Sequence, residues 1–396
     1  MHSAKKYHIE IDSQQKSHHE SRICGDVFLI KRIPEEKRTL VVLADGMGHG
    51  VKANMLATLT STMALNFMQE YKTPERIAET ILNTLPVCSD RKVSYSTFTL
   101  LDFSFTGEIT ITEFDNPVTQ IIRGFKFIDP EWKTMTLPTD LIGQRTIRSC
   151  KFSPALGDRI VMCSDGVVQS GMGSADLPLG WGMENYKEFL LRQVKNQPGI
   201  SAYHLAGKVV TIAHKNDGYM AKDDISSCTI YFREPRKLII CTGPPYHYAN
   251  DPLMAEKLKN FKGAKIVSGA TTSEIISREW KVQIRDGQKN DDHDLPPESL
   301  MEGVDLVTEG ILTITRMEKL LREFKHSTVI PDDPAGKMFK LIHAHDEIYF
   351  LIGTRVNLAH QDPNMPVEIE IRRSVVKRLK RVLKDKFLKD VRVEFI

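Results

Sequence analysis

The sequence has 396 residues, of which 41% are hydrophobic, so it is long enough for two or three domains with their own cores. Its 54 basic and 51 acidic residues leave a formal net charge of +3, which argues against nucleic acid and membrane surfaces as partners. It contains no apolar run near the ~20 residues that cross a bilayer, and its polar start, MHSAKKYHIEID, is unlike a signal peptide. We therefore expect a cytoplasmic protein.

The spacing and sequence context of the six cysteines are consistent with a cytoplasmic protein. None of them forms a C-x-x-C pair, and most lie in apolar or strand-like segments: Cys24, Cys88, Cys150, Cys163, Cys228 and Cys241. This pattern is typical of reduced, buried thiols and gives no basis for a zinc site or a catalytic cysteine.

The first half of the chain is predicted to have antiparallel strands flanked by helices. The predicted strands are Tyr7–Ile11, Ser21–Ile30, Leu40–Leu43, Ser94–Phe103, Ile109–Phe114, Gln120–Arg123, Lys133–Leu137, Thr146–Phe152, Arg159–Cys163 and one within Ala221–Phe232. The predicted helices are one from Val51 onward, Pro74–Leu85, Glu184–Asn196 and Ser201–Lys215. The apolar residues of the first helix recur at spacings of three and four: Val51, Met55, Leu56, Leu59, Met63, Phe67 and Met68.

The segment TLVVLADGMGHG (Thr39–Gly50) joins a buried strand to that helix and has three interpretations. A dinucleotide-type phosphate cradle would need a small residue where Val51 lies, and Asp45 would repel the phosphate. A tight turn would use the glycines only for positive φ. A metal site would use the carboxylate at the strand end together with a carbonyl of the bare backbone beside it, which suits Mg²⁺ or Mn²⁺.

Other acids support the metal interpretation. Asp26 begins an apolar strand, Asp165 follows another and precedes a glycine, and Asp223 and Asp224 lead into a third. If the first two strands are antiparallel neighbours, Asp26 and Asp45 meet at one end of a sheet. Each aspartate alone could be a turn or cap residue. Together they would repel one another unless cations lay between them, so we predict a metal–carboxylate site.

Four segments in this order, CGDVF, ADGMGHG, LGDRIVMCSDGV and KDDISSCTI, resemble the metal-dependent type 2C protein phosphatases, specifically their SpoIIE-like bacterial branch. The resemblance covers about residues 7–233. It implies an α+β fold: a four-layer α/β/β/α sandwich of two antiparallel sheets with helix pairs outside. It also implies hydrolysis of phosphoserine or phosphothreonine in proteins, with two Mn²⁺ or Mg²⁺ ions and a metal-activated water as the nucleophile.

The resemblance also implies roles for individual residues. Asp45 would bridge the two ions, and the backbone carbonyl of Gly46 would bind one of them. Asp165 would bind the other ion. The last ligand matches Asp223 best, with Asp224 beside it as the alternative, and Asp26 matches an acid that binds metal directly or through water.

Two positions depart from the eukaryotic members of the class. Met47 follows Asp45-Gly46 where those members have a histidine assigned as the leaving-group acid, and the histidine is displaced to His49, as it is in the SpoIIE-like branch. His49 is therefore a candidate acid, and the alternative is a residue that supports the site or begins the helix. Arg22 is only a loose match to the phosphate-binding arginine, and a solvated charge at a strand edge is the simpler interpretation.

The charged segment Arg233–Lys237 contains a proline and marks the predicted boundary between a phosphatase domain at 1–233 and an accessory domain at 238–396. Alternating strands and helices after it predict a three-layer α/β domain with a largely parallel sheet. The predicted strands are Leu238–Cys241, Ala264–Val267, Val304–Thr308, Ile348–Ile352, Val367–Ile371 and Val391–Phe395, and the helices are Pro252–Phe261, Thr272–Trp280, Met317–Phe324 and Ser374–Phe387.

Three features of this domain have a structural and a functional interpretation. Ser268–Glu274 is either a capping box formed by Thr271 and Glu274 or an anion site at a helix start. His343 and His345 are packing or surface residues, or metal ligands on a strand. The basic run Arg372–Arg392 is a surface helix packed on the sheet, or a docking face for an acidic partner.

We therefore predict a cytoplasmic serine/threonine protein phosphatase whose substrate, by the family resemblance, is a phosphorylated regulator such as an anti-sigma-factor antagonist. One alternative is a catalytically silent scaffold that binds a phosphoprotein. Another is a ligand-gated switch driven by residues 238–396. The second domain could also recruit substrate or form a homodimer.

Overall fold

The computed structural model describes residues 7–36, 38–70, 72–84, 96–104, 107–137, 145–287, 296–324, 328–355, 368–387 and 389–396. The chain folds into two compact units, Met1–Glu234 and Pro235–Ile396. Cys88, Val367 and the predicted element ends Leu85 and Ser94 lie outside the described residues. Within the described residues, no helix is both long and apolar enough to cross a membrane.

The first unit contains strands and helices in the predicted order. They are β1 (His8–Lys16), β2 (Asp26–Ile33), β3 (Arg38–Gly46), α1 (Gly50–Gln69), α2 (Pro74–Thr84), β4 (Ser96–Ser104), β5 (Ile109–Phe114), β6 (Gln120–Arg123), β7 (Lys126–Ile128), β8 (Lys133–Leu137), β9 (Arg145–Phe152), β10 (Arg159–Cys163), α3 (Asp165–Val168), α4 (Met183–Asn196), α5 (Ala202–Asn216) and β11 (Ile225–Arg233). The sequence analysis missed β7 and α3.

These strands form two antiparallel sheets, β2-β3-β4-β5-β9-β8 and β1-β11-β10-β6-β7. One core lies between the sheets and includes Val41, Leu43, Met162 and Ile230. Alternate residues of β3 point the other way, into a second core with α1 and α2, and α4 and α5 pack on the outer face of the five-stranded sheet. The four-layer α/β/β/α sandwich is thus confirmed.

The face that α1 buries differs from the apolar pattern. Its buried residues are mostly small: Ala53, Ala57, Thr60, Ser61, Ala64 and Met68. Val51, Met55 and Leu59 are exposed. A Cβ at Gly46 would lie 2.0 Å from the carbonyl oxygen of Ala53, so the helix approaches β3 too closely for large side chains. The periodicity predicted the helix correctly, and Met63, Phe67 and Met68 do pack against the core, but the apolar residues Val51, Met55 and Leu59 of its first half do not.

The second unit is a three-layer α/β domain. Its elements are β12 (Lys237–Thr242), α6 (Asp251–Asn260), β13 (Ala264–Ser268), α7 (Ala270–Trp280), β14 (Ile284–Asp286), β15 (Ser299–Met301), β16 (Leu306–Thr308), α8 (Ile311–Glu323), α9 (Pro334–Ala344), β17 (Glu347–Ile352), α10 (Glu368–Asp385) and β18 (Asp390–Phe395). The sheet order is β14-β15-β16-β13-β12-β17-β18, and pairs from β16 to β18 are parallel. Helices α8, α9 and α10 cover one face and α6 and α7 the other.

Three predictions for this unit are wrong. Residues 368–371, predicted as part of a strand, begin α10, because the helical spacing of Val375, Leu379 and Leu383 extends the helix backward. Helix α9 was missed, although Asp333 caps it by accepting the N–H of Gly336 at 2.7 Å and a proline follows the cap. The N-cap of α7 is Gly269, so the predicted capping box lies inside the helix.

The predicted histidine pair lies at the end of α9 and not on a strand. The ring of His343 stacks on Phe339 with centroids 5.6 Å apart, and Nδ1 of His345 lies 2.6 Å from the carbonyl oxygen of Leu341. These contacts favour the packing interpretation. The basic helix α10 likewise buries its apolar side chains against the sheet, as the surface-helix interpretation expects.

Candidate metal centre

Two of the predicted acids face each other across neighbouring strands. In the β2–β3 ladder Asp26 pairs directly with Asp45, at the point where β2 begins and β3 ends. Asp26 is 2% exposed, and Asp45 is partly exposed. The antiparallel register therefore brings both carboxylates to one end of the six-stranded sheet, as the sequence analysis expected.

The other acids come from the five-stranded sheet. Strand β10 ends at Cys163, and Asp165 begins α3 immediately after it, whereas Asp223 and Asp224 directly precede β11. Because β10 and β11 are antiparallel neighbours, these two chain ends meet. Ser164 links the two segments by hydrogen bonds. Its hydroxyl donates to the carbonyl oxygen of Asp224 at 3.3 Å and accepts the N–H of Ser226 at 3.0 Å.

Glycines beside the acids let the chains approach this closely. A Cβ at Gly166 would lie 2.3 Å from the carbonyl oxygen of Asp224, and one at Gly25 would lie 2.6 Å from Oδ2 of Asp224. Gly46 and Gly166 therefore contact the backbone of a neighbouring segment, and Gly25 contacts the side chain of Asp224. The glycines therefore have a packing reason that the turn interpretation did not include.

The charges at this end interact strongly. Burial raises the pKa of Asp26 to about 7; the nearby hydroxyls of Ser226 and Ser164 oppose this rise, and the charges of Asp224 and Asp223 add to it. Burial and the charge of Asp165 raise the pKa of Asp223 to about 6. Burial first, and then the neighbouring aspartates 26, 165 and 223, raise the pKa of Asp45 well above its usual value. Mutual effects of this kind show that the acids of the two sheets converge.

Several of these oxygen atoms have no hydrogen-bond partner. Both carboxylate oxygens of Asp26 and Oδ2 of Asp224 are buried and unpaired. An unpaired buried carboxylate is costly, and a bound cation offsets that cost. An all-oxygen donor set of this charge fits hard divalent ions such as Mg²⁺ and Mn²⁺.

His49 lies close to the acids but outside their cluster. It occupies the N-cap position of α1 without a side-chain capping bond, and it is exposed. Its Nδ1 lies 2.8 Å from Oγ of Ser21, and its ring stacks on His18 with centroids 3.9 Å apart. Arg22 is exposed just before β2, as expected for a solvated charge.

One supporting residue was missed by the sequence analysis. His18 is 8% exposed, and its backbone N–H donates to Oδ1 of Asp224 at 2.9 Å. Burial and the neighbouring His49 and His19 lower the pKa of His18, which favours the neutral imidazole. The only signal in the sequence is the dipeptide His18-His19 shortly before the first acid, and it does not by itself indicate a contact 206 residues away.

The sandwich and the acids at its end define the class of protein that the motifs resemble, the type 2C phosphatases. The family model of Stage II sporulation protein E (SpoIIE) matches residues 35–233, half of the chain. The chain belongs to this family.

Solved structures with a similar fold include the phosphatase domain of SpoIIE from Bacillus subtilis, at 14% identity and a TM-score of 0.43 over 58% of this chain and 93% of that one. The structure of RsbX in complex with magnesium is 16% identical, with a TM-score of 0.40 over 58% of this chain and 96% of that one. The RsbU and RsbW domains of Rv1364c from Mycobacterium tuberculosis are 15% identical, with a TM-score of 0.44 over 63% of this chain and 67% of that one. No curated protein matches the sequence. The family assignment rests on the family model and not on these three structures.

Proposed function

We propose that residues 1–233 form a metal-dependent serine/threonine protein phosphatase of bacterial signalling and that residues 238–396 form its accessory domain. The observation that carries the proposal is the convergence of aspartates from both sheets, with buried carboxylate oxygens that lack a partner. Membership of the SpoIIE family supports the same reaction.

The residues that would hold two ions follow from their positions. Asp45 lies between Asp26 and the acids of the other sheet and is the proposed bridge. The carbonyl of Gly46 and the carboxylates of Asp26 and Asp165 complete the set with Asp223. We prefer Asp223 to Asp224 because Asp223 is partly exposed and Asp165 is the neighbouring charge that raises its pKa most, whereas Asp224 is buried.

Bound Mn²⁺ or Mg²⁺ would supply a water of lowered pKa and positive charge for the phosphoryl oxygens. The chain contributes a rigid acidic frame, because each acid is fixed at a strand end or helix start. Phe98 and other apolar side chains of the adjoining cores exclude water from the base of this frame. His49 is the proposed proton donor to the leaving serine or threonine, since it is exposed and close enough to Asp223 to oppose the rise in that acid's pKa.

A cleft of about 560 Å³ adjoins the acids and offers a place for the substrate chain. Asp165 forms part of its wall. Its other lining residues include Asn116, Arg148, Gln169 and Met183. Arg148 is held by two bonds to Glu113, at 2.7 and 2.6 Å, so the cleft has a fixed polar wall. We propose that residues flanking the phosphorylated side chain bind there.

By the family resemblance, the substrate is a phosphorylated regulator of the anti-sigma-factor antagonist type. A cytoplasmic location and a homodimer belong to the same proposal, which assigns no role to nucleic acid or membrane.

The test is turnover of p-nitrophenyl phosphate and of a phosphoserine peptide by the full chain, with EDTA, Mn²⁺ and Mg²⁺ compared. We expect turnover with either metal and none with EDTA. Turnover that is independent of metal would contradict the mechanism. Tight binding of the phosphopeptide without turnover under any condition would favour the silent scaffold. Turnover that appears only with an added metabolite would favour the ligand-gated switch.

A further inference from the structure

Two helices of the second unit begin side by side at glycines. The parallel strands β13 and β16 end at Ser268 and Thr308, whose positions pair in the sheet. Helices α7 and α8 follow these strands, with Gly269 and Gly310 as their N-cap residues. A Cβ built on Gly310 would lie 3.4 Å from the Cα of Gly269, so the two helix starts are in contact. They lie at the carboxyl edge of the sheet, where α/β domains usually bind ligands.

The first N–H groups of both helices have no partner within the helix. The first helical bond of α7 runs from the N–H of Ser273 to the carbonyl oxygen of Gly269 at 2.9 Å. The first of α8 runs from the N–H of Ile314 to the carbonyl oxygen of Gly310 at 3.3 Å. The N–H groups that precede these bonds, together with the positive ends of two helix dipoles, favour a bound anion. Both glycines are partly exposed, so a ligand can reach the helix starts from solvent.

Each helix start also buries a hydroxyl group that has no hydrogen-bond partner. Thr272 and Thr313 are the third residues of their helices and are 1% and 0% exposed. The Oγ1 atoms of both are buried and unpaired. Oγ1 of Thr272 lies 3.3 Å from the point at which a Cβ on Gly269 would lie, so it faces the space beside that glycine. A buried hydroxyl without a partner is costly, and an oxygen atom of a ligand would supply the partner.

Hydrogen bonds fix the strand ends that carry these helix starts. Oγ1 of Thr308 donates to Oγ of Ser268 at 3.0 Å, and Oγ of Ser268 donates to the carbonyl oxygen of Glu309 at 3.0 Å. The N–H of Gly269 donates to the carbonyl oxygen of Thr308 at 2.9 Å. The two helix starts are therefore held together without a ligand, which lowers the cost of binding one.

An acid next to the helix starts restricts the kind of ligand. Glu309 directly precedes Gly310 and is partly exposed, and its Oε2 is buried without a hydrogen-bond partner. Its negative charge would oppose a free phosphate ion. A hydroxyl group of the same ligand could donate to this oxygen, as ribose hydroxyls do to acidic residues in dinucleotide-binding domains. A phosphate ester of a sugar satisfies both the helix starts and the acid.

We propose that the starts of α7 and α8 bind a sugar phosphate, either free or as part of a nucleotide. The N–H groups of the helix starts and the hydroxyl of Thr272 bind the phosphate, and Glu309 accepts a hydroxyl of the sugar. This is the anion-site interpretation of Ser268–Glu274, since the capping box is not formed at the N-cap. The site lies within the second unit and does not depend on the proposed phosphatase reaction.

The test is calorimetric titration of the full chain with ribose-5-phosphate, AMP, inorganic phosphate and ribose. EDTA is present, so that no metal at the aspartate centre can bind phosphate. We expect one ribose-5-phosphate per chain, bound at least about tenfold more tightly than inorganic phosphate, and no binding of ribose. Tighter binding of AMP than of ribose-5-phosphate would identify a nucleotide, and weaker binding a free sugar phosphate. No binding of either ester at millimolar concentration, or equal affinity for ribose-5-phosphate and inorganic phosphate, would overturn the proposal.

Two variants remove the proposed contacts. Gly310→Ala places a methyl group between the helix starts at ordinary contact distance, and Thr272→Val removes the unpaired hydroxyl. Each should weaken binding of the ester about tenfold or more. Because this hydroxyl has no partner, Thr272→Val should not lower the denaturation midpoint of the ligand-free protein.

The matched control is Thr229→Val. Thr229 lies on β11 in the first unit, and its hydroxyl is likewise buried and unpaired, so affinity for the ester should not change. Affinity that survives both Gly310→Ala and Thr272→Val would overturn the proposal, as would a lower denaturation midpoint of ligand-free Thr272→Val. Neither result depends on phosphatase activity, so the two proposals can fail separately.

Discussion

The two ends of β10 adjoin aspartates with opposite surroundings: Asp158 is buried, and Asp165 is partly exposed. At the start, Asp158 accepts two bonds from Arg123, at 2.8 and 2.7 Å, and one from the N–H of Ala155 at 2.7 Å. Past the other end, Asp165 faces Asp45 and Asp223. Both acids stand next to a glycine in the sequence, in Gly157-Asp158 and Asp165-Gly166.

Asp158 therefore stabilises a turn, whereas Asp165 belongs to the proposed metal site. Arg123 neutralises the charge of Asp158. Among the described residues, no lysine or arginine forms an ion pair with the carboxylates at the other end. The difference arises from the partners that the fold supplies and not from the local motif. The proposed cations would therefore act at one end of the strand and not at the other.

The largest effect is expected for Asp45→Asn. The change removes the proposed bridge between two ions, so turnover of p-nitrophenyl phosphate should fall by about three orders of magnitude or more. Circular dichroism should show an unchanged fold. Activity within about tenfold of the unmutated chain would show that Asp45 is not a bridging ligand.

A large effect is also expected for Gly166→Ala, which leaves every acid in place. The new methyl group would lie 2.3 Å from the carbonyl oxygen of Asp224, so the backbone at Asp223 and Asp224 must shift. We expect a loss of about 1–3 kcal/mol in unfolding free energy and at least tenfold in activity. Gly199→Ala is the control, because its Cβ would meet nothing within 4 Å. Equal activity of the two variants would contradict the close approach.

Neutralising an acid at each end of the sandwich should have opposite effects on the metal-free protein. At pH 8, Asp26→Asn removes a repelled, buried charge and should raise the unfolding free energy by roughly 1 kcal/mol or more. Asp158→Asn breaks the pair with Arg123, whose side chain is 44% exposed, and should lower it by about 1–2 kcal/mol. Chemical denaturation with EDTA present measures both. If Asp26→Asn and Asp158→Asn lowered the unfolding free energy equally, the proposed difference between the two acids would be contradicted.

The smallest effect is a pH dependence of the metal-free protein. The folded-state pKa values of about 7 for Asp26 and about 6 for Asp223 lie above the usual 3.8. The folded chain therefore binds more protons than the unfolded chain between these values, and the unfolding free energy should fall as pH rises from about 4 to about 7. Saturating Mn²⁺ should reverse the slope, because binding requires ionised carboxylates. A flat profile without metal would argue against the clustering.

Local patterns predicted much of the fold and the positions of the acids. Alternation and apolar runs predicted the central strands, and the antiparallel pairing of Asp26 with Asp45 followed from two neighbouring strands. The grouping of Asp165 and Asp223 or Asp224 with these acids was predicted from their shared positions at strand ends. The two stacked sheets that bring them together came from the family resemblance, because sheet stacking leaves no local signal. The contact of His18 was missed because it joins residues 206 positions apart, and the buried face of α1 was missed because it depends on the close approach of Ala53 to Gly46.

The central claim is that carboxylates from both sheets hold a pair of divalent ions, and a Mn²⁺ titration of the full chain tests it most directly. Calorimetry or electron paramagnetic resonance should detect two bound Mn²⁺ ions per unmutated chain and clearly weaker binding by Asp45→Asn. No bound Mn²⁺ at millimolar concentration, or equal binding by the two proteins, would contradict the account.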